Sequence, residues 1–399
     1  LAVAIKEGFN PREEFALQIK SLFEQLVKNR NEYFPLTSLP DHGITATGPD
    51  GGLNLFSELR KRYVSCESAA KLEAAQSAKR LLKQEYQEYL QHLDLTAQVD
   101  QLGQVEGDSY TATVHIDGNS IGNWFQNSTD LIDYRFRSLD MECITSECFQ
   151  KIITDVANLK EILNNIPGFK VEQYLPVLPI VISGDDVTFI CHGKLGLYLA
   201  ETYIKLWQKR ANDNLKNLPE GGFTACAGIA IARTKHPFYR TYQVAEELCF
   251  LAKRRHRDEG GSWLDFYIIN GTKSGNVEDI SREEQSSHGL NLYFGPYKLE
   301  DHHEKSFKQL KDGMGNFYKD KYWSNPRLKE LRTAFYAGPE VVNTFLIEMA
   351  ARGAGLPPTE GEYSQKGFCN LITPYVDMLE AMDFYPQRLL ERGQDACLN

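Results

Sequence analysis

"VISGDDVTF", residues 181–189, sets two adjacent carboxylates between two short apolar runs. Val181 and Ile182 on one side, and Val187, Thr188, Phe189 and Ile190 on the other, are β-branched, aromatic or both in alternation, while Ser183, Gly184, Asp185 and Asp186 carry turn chemistry. The stretch predicts a β-hairpin with Asp185 and Asp186 at its tip. Two ionised carboxylates held a few ångströms apart repel unless they share a proton or a cation lies between them, so the pair asks for a divalent metal. Taken alone, an ordinary Asp-rich turn is the simpler account. The decision falls to the neighbouring strands.

Upstream, "YTATVHI" at 110–116 reads as a strand that delivers Asp117 into the turn "DGNSIG". Downstream, "FTACAGIAIA" at 223–232 and "WLDFYII" at 263–269 are two more apolar strands, and "VLPIVI" at 177–182 precedes the Asp pair. Residues 146–165 and 193–216 are helical by composition. Val244, Leu248 and Leu251 mark the apolar stripe of a helix near 239–257. The order strand, helix, hairpin, helix, strand, helix, strand predicts a mixed α+β palm of ferredoxin-like type, with helices on one face of an antiparallel-containing sheet. In such a sheet the first strand and the hairpin are neighbours, so Asp117, Asp185 and Asp186 converge. Three carboxylates suit two-metal phosphoryl chemistry, in which two divalent ions about 3.5 to 4 Å apart serve the attacking hydroxyl and the leaving pyrophosphate.

Gly118 and Gly122 lack side chains and would let backbone amides approach phosphate; an ordinary turn explains them as well. In "FLAKRRHRDEGG", Lys253, Arg254 and Arg257 follow the helical stripe and could clamp a triphosphate, although cations near a helix C-terminus are favoured in any case. His115, His192 and His236 show no metal-ligand spacing and read as surface or strand-edge histidines.

The whole chain sets the limits. With 399 residues, two or three domains are expected: an N-terminal helical region at 1–109 containing a loop at 35–52, the palm at 110–270, and a mainly helical C-terminal bundle at 271–399. Helices are expected within 12–34 and 65–93, from apolar spacing in the first and from a run without Gly or Pro in the second. An apolar fraction of 42% and a charged fraction of 25%, with no apolar run near the roughly 20 residues of a membrane span, lead us to expect a soluble cytoplasmic protein without membrane partners. Leu1 in place of an initiating Met suggests a processing boundary. Eight scattered cysteines, with only Cys143 and Cys148 close together, fit reduced thiols better than a zinc site. A net charge of -10 disfavours an extended phosphate-binding surface, so the expected ligand is small or is brought by a partner.

"HIDGNSIG", "VISGDDVTF", "FTACAGIAIARTKHPF", "LAKRR", "WLDFYII" and "LYFGPYKLED" occur in this order between residues 115 and 301. In this the chain resembles the polymerase/cyclase second palm of the large subunit of type III CRISPR effector complexes and, more distantly, diguanylate cyclase palms of GGDEF type. The resemblance covers about 190 residues, Tyr110 to Leu299, and implies a metal-dependent nucleotidyltransferase that makes a cyclic nucleotide or cyclic oligonucleotide from nucleoside triphosphates, ATP first among them, in antiviral defence. By it Asp117, Asp185 and Asp186 would be catalytic and would hold two Mg²⁺ or Mn²⁺ ions with the Gly118 carbonyl. Asn119, Ser120, Gly122, Ser183, Gly184, Lys253, Arg254 and Arg257 would line the nucleotide together with Gly118.

Two residues depart from the pattern. Ser183 stands where the family has a first Gly, and Asn119 where a second Asp is common, which implies altered metal affinity or a palm retained as a nucleotide sensor or scaffold subunit. Neither a His-Asp nuclease domain nor a Cys-rich zinc insertion is found, so a stand-alone or minimal relative is expected. Its partners would be nucleoside triphosphates, a second copy in a homodimer or larger self-association, or CRISPR-type effector subunits.

Overall fold

The computed structural model describes residues 54–57, 62–107, 109–269, 289–300 and 302–395, with isolated positions 21, 24, 25 and 28 besides. Apart from those isolated positions, the sequence reading at 12–34 lies outside them, as does that at 35–52. Two compact units are formed, one from Leu1–Gln91 with Gly122–Phe136, the other from His92–Ile121 with Arg137–Asn399.

In the first unit β1 (Asn54–Ser57) and β2 (Arg62–Ser65) form an antiparallel pair, and α1 (Cys66–Tyr86) follows directly. The helix matches the Ala, Leu, Glu, Lys and Gln composition of this stretch. The strand pair is a correction to the all-helical expectation for the N-terminal region. The insertion Gly122–Phe136, which reads as palm in the sequence, groups with this unit.

The second unit is built on a sheet of six strands in the order β4-β5-β3-β6-β7-β8. These are β3 (Tyr110–Gly118), β4 (Val177–Ser183), β5 (Asp186–His192), β6 (Ala225–Arg233), β7 (Trp263–Ile268) and β8 (Tyr297–Lys298). The central strand β3 pairs antiparallel with β5 and β6, while β6 and β7 run parallel. Along the chain between the strands lie α2 (Ile121–Gln126), α3 (Leu131–Asn158), α4 (Lys160–Asn164), α5 (Gly196–Asn214) and α6 (Phe238–Glu259), of which α2 from Gly122 on and α3 as far as Phe136 group with the first unit. All five strands read from the sequence are present. The helix expected at 146–165 is instead the 28-residue α3, whose start lies upstream of the apolar stripe, followed by the short α4.

The helices do not share one face. Side-chain direction alternates along a strand, and Gly196 of α5 packs against Ala112 and Ile229, whereas Gly228 packs under Ala245, Leu248 and Cys249 of α6. Phe149 of α3 meets Phe189 of β5 and Tyr203 of α5. Thus α3 and α5 cover one face and α6 the other. The reason lies in the β6–α6–β7 crossover, which joins two parallel strands and needs a covering helix of its own.

The expected boundary at 270 and 271 is not a break in packing. Strand β8 extends the palm sheet beside β7, and the C-terminal helices α7 (Phe307–Lys319), α8 (Asn325–Ala337), α9 (Pro339–Ala351), α10 (Tyr363–Lys366), α11 (Tyr375–Ala381) and α12 (Gln387–Asp395) belong to the same unit. Two buried polar clusters tie them in. Glu201 of α5 accepts from Lys205 at 2.8 Å, from Lys311 of α7 at 2.6 Å and from the Tyr385 hydroxyl at 3.2 Å. Asp377 of α11 accepts from the Phe294 and Gly295 amides at 3.1 and 3.2 Å and from the Tyr297 hydroxyl at 2.6 Å, while the Tyr293 hydroxyl donates to Asp265 of β7.

Candidate active site

The Ser183–Asp186 hairpin is a two-residue turn. Ser183 and Asp186 are paired, and of the two central residues only Gly184 has positive φ, at 60°, the pattern of the II′ turn that matches strand twist. From the other side of the sheet, α3 grips this tip. The Glu142 carboxylate accepts from the Gly184 amide at 2.6 Å and from the Ser183 hydroxyl at 3.3 Å, and Thr145, which accepts a bond from Trp207 at 3.1 Å, donates to the Gly184 carbonyl. Ser183 therefore gains a partner that a glycine would lack.

Strand register decides the rest. Asp117 lies directly opposite Asp186, so both carboxylates are on the α6 face, and His115 lies opposite Thr188 on that face one step further in. Asp185 occupies the turn, and its carbonyl accepts from the Gly118 amide at 3.2 Å. A Cβ on Gly118 would fall 2.8 Å from Ile121 Cγ1 and 2.9 Å from Asp185 Cβ, so only glycine lets the two segments approach this closely. The three carboxylates are thus neighbours.

Lys253 of α6 reaches over the strand ends. Its Nζ is 2.5 Å from Asp117 Oδ2 and 3.1 Å from the Gly118 carbonyl oxygen. Burial and the neighbouring charge of Asp117 push the Asp185 carboxyl up to about 6. The Asp186 carboxyl is also raised, by burial first and by Asp117, with His115 opposing. One Asp186 oxygen, Oδ1, is buried without a hydrogen-bond partner, and stands 3.4 Å from His115 Nδ1. That nitrogen is itself 3.0 Å from the Thr188 hydroxyl. A site with three acids and one ammonium favours a further cation.

Among the described residues no three His, Cys, Asp or Glu side chains form a group that could hold a metal ion. Mg²⁺ and ions like it are commonly held by one or two carboxylates, with water and substrate phosphate completing the shell. The facing carboxylates of Asp117 and Asp186, the unpartnered Asp186 oxygen and the Gly118 carbonyl fit that donor set. Lys253 occupies two of these oxygens, so a cation there would compete with its ammonium.

The other expected residues divide. Asn119 is 3% exposed, and its Nδ2 donates to the Thr224 hydroxyl at 3.0 Å while its amide donates to the Thr224 carbonyl at 2.8 Å, which braces β3 against the start of β6; its Oδ1 is buried without a hydrogen-bond partner. Ser120 is exposed with φ 60°, a left-handed residue that turns the chain from β3 into α2. Gly122 is the second residue of α2, with space for a Cβ. Arg254 and Arg257 are exposed, and Arg257 lies 5.6 Å from the ring centre of Phe250.

His115 is a correction. It is 7% exposed, touches Asp186 and lies edge-on to Tyr242 at 5.8 Å. Its two-residue offset from Asp117 within one strand was the available signal, since it places both on one face. Glu142, Thr145 and Tyr242 carry no comparable mark in the sequence.

Residues 110–260 match the family model of Cas10/Cmr2, second palm domain. Over these residues the chain is similar to that palm. The match ends before the C-terminal helices. Among solved structures, Csm1 of T. onnurineus is similar at 11% identity and TM-score 0.44, over 74% of this chain and 40% of Csm1. The Csm1-Csm4 cassette in complex with pppApA is similar at 13% identity and TM-score 0.37, over 71% of this chain and 37% of that one. The GGDEF domain of DgcB from Caulobacter crescentus in complex with c-di-GMP follows at 13% identity and TM-score 0.24, covering 40% and 80%. This chain therefore spans less than half the length of the Csm1 proteins it resembles. No curated protein sequence matches it. Among the described residues no helix is long and apolar enough to cross a membrane.

Proposed function

We propose that this Cas10/Cmr2-type palm binds nucleoside triphosphates at the end of β3 and joins them. In the reaction a 3′-oxygen forms a bond to an α-phosphorus, the bond from that phosphorus to the bridging oxygen breaks, the 3′ proton leaves and pyrophosphate departs. The observation that carries this reading is the register pair Asp117 and Asp186, with Lys253 bridging Asp117 and the Gly118 carbonyl. ATP is the proposed substrate, a cyclic nucleotide or cyclic oligonucleotide the proposed product, and antiviral signalling the proposed setting.

Mg²⁺ or Mn²⁺, two per site in this reading, would be held by Asp117, Asp185, Asp186 and the Gly118 carbonyl, and would supply charge neutralisation on phosphate. The chain's own groups do the positioning. Lys253 offers an ammonium to phosphate in exchange for Asp117, and Gly118 keeps the backbone low enough for close approach. In the arrangement where Asp117, Asp185 and the Gly118 carbonyl hold the ions, Asp186 Oδ1 instead orients the 3′-hydroxyl and takes its proton.

A second reading, a palm retained as nucleotide sensor or scaffold subunit beside CRISPR-type effector partners, is favoured by the Lys253–Asp117 pair, which already neutralises one acid, and by the burial of Asn119. Incubation with Mg²⁺ or Mn²⁺ and each of the four nucleoside triphosphates, followed by mass spectrometry, separates the two. Pyrophosphate and a phosphodiester product, both absent from an Asp185→Ala/Asp186→Ala variant, are expected. Nucleotide binding without product in every mixture would leave the sensor; no binding at all would refute both readings.

A further inference from the structure

Helix α6 presents three faces. Thr241, Ala245, Leu248, Cys249 and Ala252 are buried, and Lys253 reaches the carboxylates. At 100° per residue, Phe250 and Arg257 share a stripe next to Lys253, with Arg254 beside them. Phe250 is 54% exposed, and the Arg257 guanidinium lies over its ring. A single exposed Phe needs no explanation in general, but the position of this one does.

Strand β6 is antiparallel to β3, with Ala225 opposite Gly118, so α6 begins at the far end of the sheet and returns toward the end that holds Asp117. Trp263, the first residue of β7, then pairs beside Cys226 at that same end. The last two turns of α6 therefore stand at the mouth of the candidate site. There a flat aromatic face, three guanidinium groups, of which that of Arg255 is paired with Glu259, and an ammonium lie within eight residues, 250–257, where Glu246 and Glu247 precede them and Asp258 and Glu259 follow. In a chain of net charge -10 this is a local concentration of cations around an exposed ring. Aromatic faces interleaved with Arg are how single-stranded nucleic acid is held without sequence preference, base on ring and phosphate on cation.

We propose that Phe250, Arg254 and Arg257 form a shelf for a short single-stranded oligonucleotide, one base stacking on Phe250 and its phosphates meeting the two arginines. The shelf rests on the reading of the palm as a nucleotide site and extends it, since it assigns a polymer rather than a mononucleotide to the outer flank of α6. It gives Arg254 and Arg257 a partner other than the triphosphate expected for them.

The test is fluorescence anisotropy with labelled single-stranded tetra-adenosine, in EDTA so that no turnover occurs. The wild-type chain is expected to bind, and Phe250→Ala to raise Kd by about tenfold. Phe250→Trp should restore binding, and Arg254→Ala/Arg257→Ala should raise Kd while flattening its dependence on salt. Asp186→Asn, which tests the catalytic reading, should bind the probe like the wild type, so shelf and catalysis fail separately. Phe250 is more than half exposed, and equal melting temperatures would show that the variants fold. Wild-type affinity in Phe250→Ala, no binding by the wild type, or equal displacement of the probe by polyglutamate or by duplex of the same length would overturn the proposal.

Discussion

Asp265 offers a measurement whose sign follows from burial. It is fully buried in β7, accepts from the Phe266 amide at 2.9 Å and from the Tyr293 hydroxyl, and faces the similarly buried Asp377. Burial pushes the Asp265 carboxyl up to about 8, with the charge of Asp377 adding and the Tyr293 hydroxyl opposing. Asp377 is pushed up to about 7, again by burial first. An unfolded Asp titrates near 3.9, so between roughly pH 4 and pH 8 the native chain holds a proton that the unfolded chain releases. Stability from this group is therefore present at low pH and lost as pH rises through the folded value. The slope is about 1.4 kcal/mol per pH unit for one such proton.

Asp265→Asn cannot release that proton. Relative to wild type, the variant should gain about 3 kcal/mol of stability between pH 5 and pH 7, whatever its offset at pH 5. Urea unfolding at pH 5, 6, 7 and 8, followed by the fluorescence of buried tryptophans such as Trp263, reads this difference, and titrations common to both proteins cancel. An offset that stays constant with pH would refute the assignment of a native proton to Asp265.

Asn119→Asp should destabilise the chain by about 1 to 3 kcal/mol, seen as a lower melting temperature, because a charge replaces a buried carboxamide bonded to Thr224; a variant as stable as wild type that needs less metal would return Asn119 to the acid cluster. Gly228→Ala places a Cβ 1.9 Å from the Ala245 carbonyl oxygen and 2.5 Å from the Cys249 nitrogen, so α6 must move, and a loss of about 3 kcal/mol or more is expected on unfolding. The same shift should withdraw Lys253 and lower nucleotide affinity, which calorimetry would register. If two palms face one another to close a ring, specific activity should rise with protein concentration; cyclic product formed at constant specific activity, where light scattering finds only monomer, would exclude the facing pair.

Five of the six palm strands and their order along the chain, though not β8 or the β1–β2 pair, were legible because each is an apolar run with its own turn signals, a local property of the chain. The same holds for the hairpin tip, where Gly184 and the two aspartates leave little choice of turn. Lys253 could be singled out by type, but a stretch of four basic residues within "KRRHR" does not say which one reaches the carboxylates. The rotation of α6 selects Lys253 and turns Arg257 outward onto Phe250. The partner of Asn119 is hidden for a related reason: its Nδ2 bonds Thr224, 105 residues away.

By itself, then, the sequence determined the local elements and the acid pair of the palm, since hydrophobic period and turn chemistry act over a few residues. Only the tertiary structure decided which side chains meet. Register set Asp117 opposite Asp186, and alternation of side chains put His115 on their face. The crossover of α6 brought a cation 135 residues distant in sequence onto the Gly118 carbonyl. Pairing across a sheet and packing of a helix on it are long-range choices, fixed when burial on both faces is satisfied at once, and no window of local sequence contains them.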